Sequence, residues 1–414
     1  MSRLLLALTL TWALQGQSPA PQGQSLAVRA DLLYPVAGPA IPDGVVLIQE
    51  GRISALGRAA DIRIPEGLRL LRAKVAVPGL VDGRSTVGLS GLLNQPHDQD
   101  MLEGSAPLQP ELRALDAYNG RDPLVGYLRS LGITTVHTGH GPGALISGQT
   151  FIIKTSATEV TSGVLKPVAM VAATLGDGAR SRDQGKAPGT RAKQIALLRS
   201  ELVGAQEYLR KLKDAEKGKE LARDLRKEIL GQVLRRELPL LVTAHRSQDI
   251  LSLLRLAREF DLDIVLDGGA EAYLVLDELK AAKVPVILHP SMARTYGETE
   301  NQSLETAAKL HSAGIPFTFQ SGFEGYVPKT RVVLWEAAMA AANGLGFDAA
   351  LRALTLTPAQ LLHIADRVGS LEKGKDGDVA LYDGDPFETT SHCVGTVING
   401  ILVSEGEETR GPVR

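Results

Sequence analysis

Apolar and polar positions divide the chain into three kinds of pattern. Met1-Ser2-Arg3 is followed by a largely apolar run from Leu4 to Leu14. One positive charge ahead of about 11 apolar residues has the form of a secretory signal peptide. The run is too short to span a bilayer, which takes about 20 residues, so no stable membrane span is expected. The expected signal segment is residues 1–20, with Pro21 leaving the cleavage point open, and the expected location is periplasmic or extracellular. Strand-length runs come next. Val45-Val46-Leu47-Ile48 leads into a turn at Glu50-Gly51 and then Ile53 to Leu56, a hairpin signal. The other end repeats this with Val379-Ala380-Leu381-Tyr382, a turn at Asp383-Gly384, Val394 to Ile398, Asn399-Gly400 and Ile401 to Val403. Two strand-rich ends flanking a different interior predict one composite β-sandwich domain, residues 25–77 plus 366–410.

The interior, residues 78–365, alternates short apolar runs with helical periods. Ile133 to Val136, Leu240 to Thr243, Asp263 to Leu266, Val284 to Leu288 and Pro316 to Phe319 read as buried strands. Amphipathic stretches such as Gln248 to Phe260 separate them. Strands alternating with helices predict βα units and a parallel sheet. About eight units over roughly 290 residues predict an α/β fold of the (β/α)8 TIM-like barrel class, with active-site residues at the strand ends. The charged run from Arg210 to Arg236 reads as solvated helix.

Composition narrows the function. With 45 Lys and Arg against 47 Asp and Glu, the net charge is −2. Nucleic-acid binding needs a basic surplus to displace counterions, so no nucleic-acid partner is expected. The one cysteine, Cys393, allows neither an intrachain disulfide nor a Cys-based zinc site, and reads as a small buried hydrophobe. With no cysteine near the amino terminus, a lipoprotein anchor there is excluded.

The strand runs sit among specific motifs. These are Gly51-Arg52-Ile53-Ser54-Ala55-Leu56-Gly57, Val77-Pro78-Gly79-Leu80-Val81-Asp82, Thr357-Pro358-Ala359, and Gly369-Ser370-Leu371-Glu372-Lys373-Gly374 running on to Asp378. On these, the chain resembles the amidohydrolase superfamily, in particular its imidazolonepropionase-like and dihydroorotase-like branches. The resemblance implies a barrel with a composite β domain, a divalent metal (zinc or iron) held by imidazoles and a carboxylate, and hydrolysis of non-peptide carbon–nitrogen bonds. In that chemistry the metal brings a bound water near neutrality and a last-strand Asp takes its proton.

Several positions depart from the pattern. Where the resemblance places His-x-His after Val81-Asp82, this chain has Gly83-Arg84-Ser85-Thr86. His245 stands at the fifth strand, but Gly268 and Gly269 follow Leu266-Asp267 where the sixth-strand imidazole is expected. The last strand ends Phe319-Gln320-Ser321-Gly322, and no Asp lies between Asp277 and Asp348. A rebuilt set is one alternative. His137, His140, His245 and His289 all fall at predicted strand ends, and three neutral imidazoles with an open position suffice for catalytic zinc. Glu324 is then the candidate catalytic base. The other alternative has these histidines hydrogen-bonded without metal. Gly143 to Thr150 mimics a phosphate loop, but Gln149 stands where Lys is required and a strand follows instead of a helix, so nucleotide binding is rejected.

Arg84, Arg246 and Lys329 lie beside predicted strand ends, and Gln149 lies in the Gly-rich stretch. Arg84, Arg246 and Gln149 are the candidate ligand-binding residues. Arg84 is suited to a carboxylate or to an ion pair with Asp82 or Asp267. Two functions follow. One is a C–N hydrolase with an altered metal site. The other is a catalytically inactive homologue that binds a small-molecule ligand or serves as a scaffold, either as a homo-oligomer or paired with an active homologue.

Overall fold

The computed structural model describes residues 23–92, 95–181, 186–215, 222–322 and 332–406. The expected signal segment, Glu324 and Lys329 lie outside them. The chain opens with β1 (Leu26–Leu33), β2 (Ile41–Gln49), β3 (Arg52–Arg58) and β4 (Leu70–Pro78). The interior supplies β5 (Leu80–Ser85), β6 (Ile133–Thr138), β7 (Ile146–Gln149), β8 (Phe151–Lys154), β9 (Val164–Lys166), β10 (Val171–Thr174), β11 (Leu240–Ala244), β12 (Ile264–Gly268), β13 (Val286–Leu288) and β14 (Phe317–Phe319). Then come β15 (Val379–Tyr382), β16 (Cys393–Ile398) and β17 (Ile401–Glu405). Helices used below are α1 (Pro123–Ser130) and α2 (Ser247–Phe260). Among the described residues no helix is long and apolar enough to cross a membrane.

Both chain ends build one seven-stranded sheet, in the order β17-β16-β15-β4-β1-β2-β3. β1 and β4 run parallel, while β4 and β15 pair antiparallel with Val379 opposite Pro78 and Tyr382 opposite Val75. Alternation sends Val28 and Ala30 of β1, Val46 and Ile48 of β2, Val379 and Leu381 of β15 and Val397 of β16 into one apolar cluster. The expected sandwich is therefore a single ladder whose inner face packs on itself. Residues of the other face, Val75, Val77, Ala380 and Tyr382, join the larger core of the interior.

That interior is barrel-like, but it departs from eight parallel βα units. Its strands form a six-stranded sheet, β14-β13-β12-β11-β10-β7, and a four-stranded sheet, β5-β6-β8-β9. β10 to β14 are parallel, and so are β5 and β6. The exception is the stretch from Ile146 to Lys154. Its first half, β7, pairs antiparallel with β10, and its second half, β8, pairs antiparallel with β6. At Thr150 the chain passes from one sheet to the other. The Thr150 amide donates to the Met170 carbonyl (2.9 Å), and the Ala169 amide to the Thr150 carbonyl (2.7 Å). At the opposite side Ser85 pairs with Gly322, and the Gly322 amide donates to the Arg84 carbonyl (3.0 Å). Gly83 permits this approach, since a Cβ there would lie 2.6 Å from the Phe319 carbonyl oxygen.

Parallel strands covered on both faces are apolar throughout, and all five residues of β11, Leu-Leu-Val-Thr-Ala, are buried. α2 covers them with Ile250, Leu253, Leu254 and Ala257, an i, i+3, i+4, i+7 stripe. It ends at Asp261 in the left-handed conformation, φ 51°.

A buried charge cluster joins the interior to the composite sheet. Lys154, at the end of β8, is 2% exposed. Its Nζ lies 2.6 Å from Asp378 Oδ2, 2.8 Å from Asp376 Oδ2 and 3.1 Å from Asn399 Oδ1. Arg367 reaches Asp376 Oδ2 at 2.8 Å. Burial works to raise Asp376, but Lys154 and Arg367 outweigh it and hold this carboxyl below its ordinary value. For Asp378 burial prevails and raises it. Removing the ammonium leaves Asp378 buried without a cation and Asp376 dependent on Arg367. Lys154→Met is expected to cost about 3–5 kcal/mol in urea unfolding. Adding Asp378→Asn should cost less than the sum of the two single changes. A loss below about 1 kcal/mol would show that the cluster carries little of the junction.

Candidate functional site

Five strand ends and one loop converge on a single cavity of about 70 Å³. β5 brings Arg84 and Ser85, β11 leads to Thr243 and His245, and β12 brings Asp267 and Gly268. β13 leads to His289, β14 to Gln320, and the loop after β6 supplies Pro142. Gly268 is where sequence and space meet. Its φ is +90°, and a Cβ there would lie 2.8 Å from His245 Cε1. Glycine both tolerates this conformation and leaves room for the imidazole. The His245 and His289 rings stand edge to face, with centroids 4.9 Å apart. Nδ1 of His245 is buried without a hydrogen-bond partner among the described residues.

Two buried charges of opposite sign line the cavity. Arg84 is 4% exposed. It donates from one terminal nitrogen to the Ser85 carbonyl (3.0 Å) and from the other to the His140 carbonyl. Asp267 is also 4% exposed. It accepts from the Thr243 hydroxyl at 2.5 Å and from Gln320 Nε2 at 2.7 Å. Gln320 is braced in turn by the Ile287 carbonyl at 3.0 Å. Burial pulls the Arg84 guanidinium below its ordinary value, and Asp267 and Asp82 oppose the shift. Beneath Arg84, the fully buried Asp82 accepts from the Ser321 hydroxyl, the Ser321 amide (3.0 Å) and the Arg84 amide (3.2 Å). Burial dominates these bonds and pushes its carboxyl up to about 6. Burial also lowers His245, with Asp267 opposing, so this ring is neutral at pH 7.

The candidate metal set does not assemble around the cavity. His245 and His289 share it, while His137 and His140 do not line it. His137 is wholly buried on β6. Its Nδ1 lies 2.8 Å from the Gly83 carbonyl and its Nε2 2.7 Å from the Thr150 hydroxyl. A carbonyl can only accept, so the proton sits on Nδ1 and the lone pair of Nε2 faces Thr150. Burial and the nearby Arg84 hold His137 down at about 3. His140 lies against the backbone of Asp100 and Met101 and is held at about 4, chiefly by burial and Arg84. Arg246 pairs with Glu300 at 2.7 Å. Gln149 donates to the Pro110 carbonyl (3.0 Å), fastening the segment after β5. Arg84 makes neither of the expected ion pairs. Its contact with Asp82 is through the backbone amide, and no bridge within 4 Å joins it to Asp267.

The sequence offers Asp267 as a partner for Arg84 and shows Gln320 only as part of a last strand without Asp; that Gln320 holds Asp267 is seen in the structure. Their common signal is position, since each follows the apolar core of a strand by one or two residues.

These residues do not fit a divalent cation. Two imidazoles are present, the one lining carboxylate is held by two donors, and a guanidinium faces the same space. Among the described residues no group of three His, Cys, Asp or Glu comes together as a metal site. Catalytic zinc takes three protein ligands.

Comparison with known proteins points in one direction. Residues 241–404 match the family model described as the amidohydrolase family. The amidohydrolase tasK of Hapsidospora irregularis is 25% identical over 391 residues, 86% of this chain. The chain spans 39% of that relative's length. The solved structure of an amidohydrolase from Thermotoga maritima MSB8 is 28% identical, with a TM-score of 0.87, covering 92% of this chain and 100% of its own. A zinc-bound adenosine deaminase from Xanthomonas campestris is similar in fold, at 16% identity and TM-score 0.54, covering 92% of this chain and 93% of its own. The chain is amidohydrolase-like in sequence and fold.

The histidines set an acid response. Folded His137 and His140 titrate near 3 and 4, against 6.5 for a free imidazole. The unfolded chain therefore takes up their protons first, and the stability they carry is lost as pH falls below 6.5. Asp82 has the opposite sign, because its raised value favours the folded state as pH falls from about 6 to 3.8. His137→Asn should flatten the loss of stability between pH 6 and 4 by about 1.4 kcal/mol per pH unit. Asp82→Asn should steepen it. Urea unfolding across that range measures both, and slopes parallel to wild type would refute the assignment.

Proposed function

We propose that this amidohydrolase-like chain binds a small organic molecule in the barrel mouth through its own side chains, and that the mouth does not hold a hydrolytic metal. The observation that carries this reading is Arg84. A guanidinium cannot donate a lone pair to a metal, and it stands at the end of β5, where the resemblance places imidazole ligands. The side chains that line the cavity then bind and orient. Arg84 offers N–H donors, Asp267 and the neutral His245 offer acceptors, and Gln320 and Thr243 lock Asp267 in place. The branch nearest imidazolonepropionase and dihydroorotase is our placement on the motifs. Export rests on the charge-then-apolar amino terminus. Self-association or pairing with an active homologue belongs to the same reading.

A second reading is a metal-dependent C–N hydrolase, favoured by the His245–His289 pair at the mouth and by the amidohydrolase relatives. Glu324 and a ligand beyond the described residues would complete it. Elemental analysis after reconstitution with zinc or iron separates the two. Background metal in both wild type and the His245→Ala/His289→Ala double variant is expected. Near one ion per chain, lost in the double variant, would overturn the metal-free reading and favour the hydrolase.

A further inference from the structure

The charges in the mouth are arranged unlike a structural ion pair. Arg84 and Asp267 are each more than nine-tenths buried, and both line the same cavity. They sit on strands separated by β14 and β13 around the ring. Each is held by its own protein partners, Arg84 by the Ser85 and His140 carbonyls and Asp267 by Thr243 and Gln320, rather than by the other charge. Those anchors keep the two charges apart. Asp267 is the first of the charges acting on Arg84, yet no bridge within 4 Å forms between them. Buried opposite charges usually close on each other, because an unpaired buried charge costs several kcal/mol in desolvation. Here the space between them is the cavity.

Resting on the ligand-binding reading above, we infer that the mouth binds a small zwitterion of the α-amino acid class, its carboxylate on Arg84 and its ammonium on Asp267. The guanidinium presents a fork of N–H donors suited to a carboxylate. Each Asp267 oxygen accepts one hydrogen bond from the protein and has a second lone pair for an ammonium. The charges of Arg84 and Asp267 cancel, and His245 is neutral. A ligand with no net charge but a strong dipole therefore pairs with both lining charges at once. A simple carboxylate would neutralise Arg84 and leave Asp267 facing it, and a simple amine would do the reverse.

The test is thermal unfolding of the full chain with each of the twenty L-amino acids. It is followed by titration with the best stabiliser and with its analogues lacking the amine or the carboxylate. At least one amino acid should raise the midpoint, and both analogues should bind about tenfold or more weakly. Arg84→Lys and Asp267→Asn, each verified as folded by circular dichroism, should lose binding by a similar factor. Stabilisation by none of the twenty would overturn the inference, as would a deamino analogue that binds as well as its parent. The wild-type analogue series gives this answer even if a variant fails to fold. Metal content is measured on the same sample. Bound metal refutes the underlying reading, whereas metal-free, folded protein indifferent to amino acids refutes this inference alone.

Discussion

The junction between the composite sheet and the barrel-like interior depends on one buried cation. Lys154 leaves the end of β8 and is enclosed by Asp376, Asp378 and Asn399, residues that lie more than 200 positions later, with |i−j| of 224 to Asp378. Apolar packing across the same junction, such as Tyr382 and Val77 against the large core, is non-directional and would tolerate sliding. The ammonium is not so tolerant. Displaced by one residue it would leave carboxylates buried and unpaired. Polar fasteners around α1 share the task. The Tyr382 hydroxyl donates to the Leu131 carbonyl at 2.9 Å, and the Thr396 hydroxyl to the Arg129 carbonyl at 2.7 Å. The register in which β15 meets β4 then fixes how β5, the next strand, enters the interior with Asp82 and Arg84.

Much of the fold was legible because burial leaves a periodic trace. Fully covered strands such as β11 read as unbroken apolar runs, and α2 reads by its i, i+3, i+4, i+7 stripe. The stretch from Ile146 to Lys154 defeated that reasoning. β7, Ile146-Ser147-Gly148-Gln149, has no apolar run to mark it, and the apolar run of β8 shows burial but not pairing direction. The bend at Thr150 is set by hydrogen bonds to Met170 and Ala169 that no local pattern announces. The candidate site was legible as a set of strand ends and no further. His137 and His245 look alike as histidines following β runs. One hydrogen-bonds Gly83 and Thr150 and the other packs on His289 with its Nδ1 buried and unpartnered, and that difference depends on neighbours elsewhere in the chain.

In electrostatic terms the mouth holds one buried charge of each sign. Arg84 places a positive charge at the end of β5, and Gly268 leaves room beside β12 for the His245 ring. Asp267 is held by an amide and a hydroxyl. The apolar core behind these strand ends includes Val242, Leu266 and Leu288. A barrel-like scaffold carries its chemistry on strand ends, so the residues there decide what the mouth can hold.

The β4–β15 pairing also has a consequence in time. On the ribosome, β4 emerges with its edge unpaired, and its partner follows about 300 residues later, roughly 15–60 seconds at ordinary rates of synthesis. Throughout that interval an apolar strand with open backbone groups is a template for pairing with other chains. Its early parallel neighbour β1 covers one edge only. The charged residues Arg72 and Lys74 on β4 sit where they discourage such encounters, as gatekeepers flanking Val75 to Val77. Nascent chains of this protein are thus obliged to wait in a partly open form, and holdase chaperones would find them there.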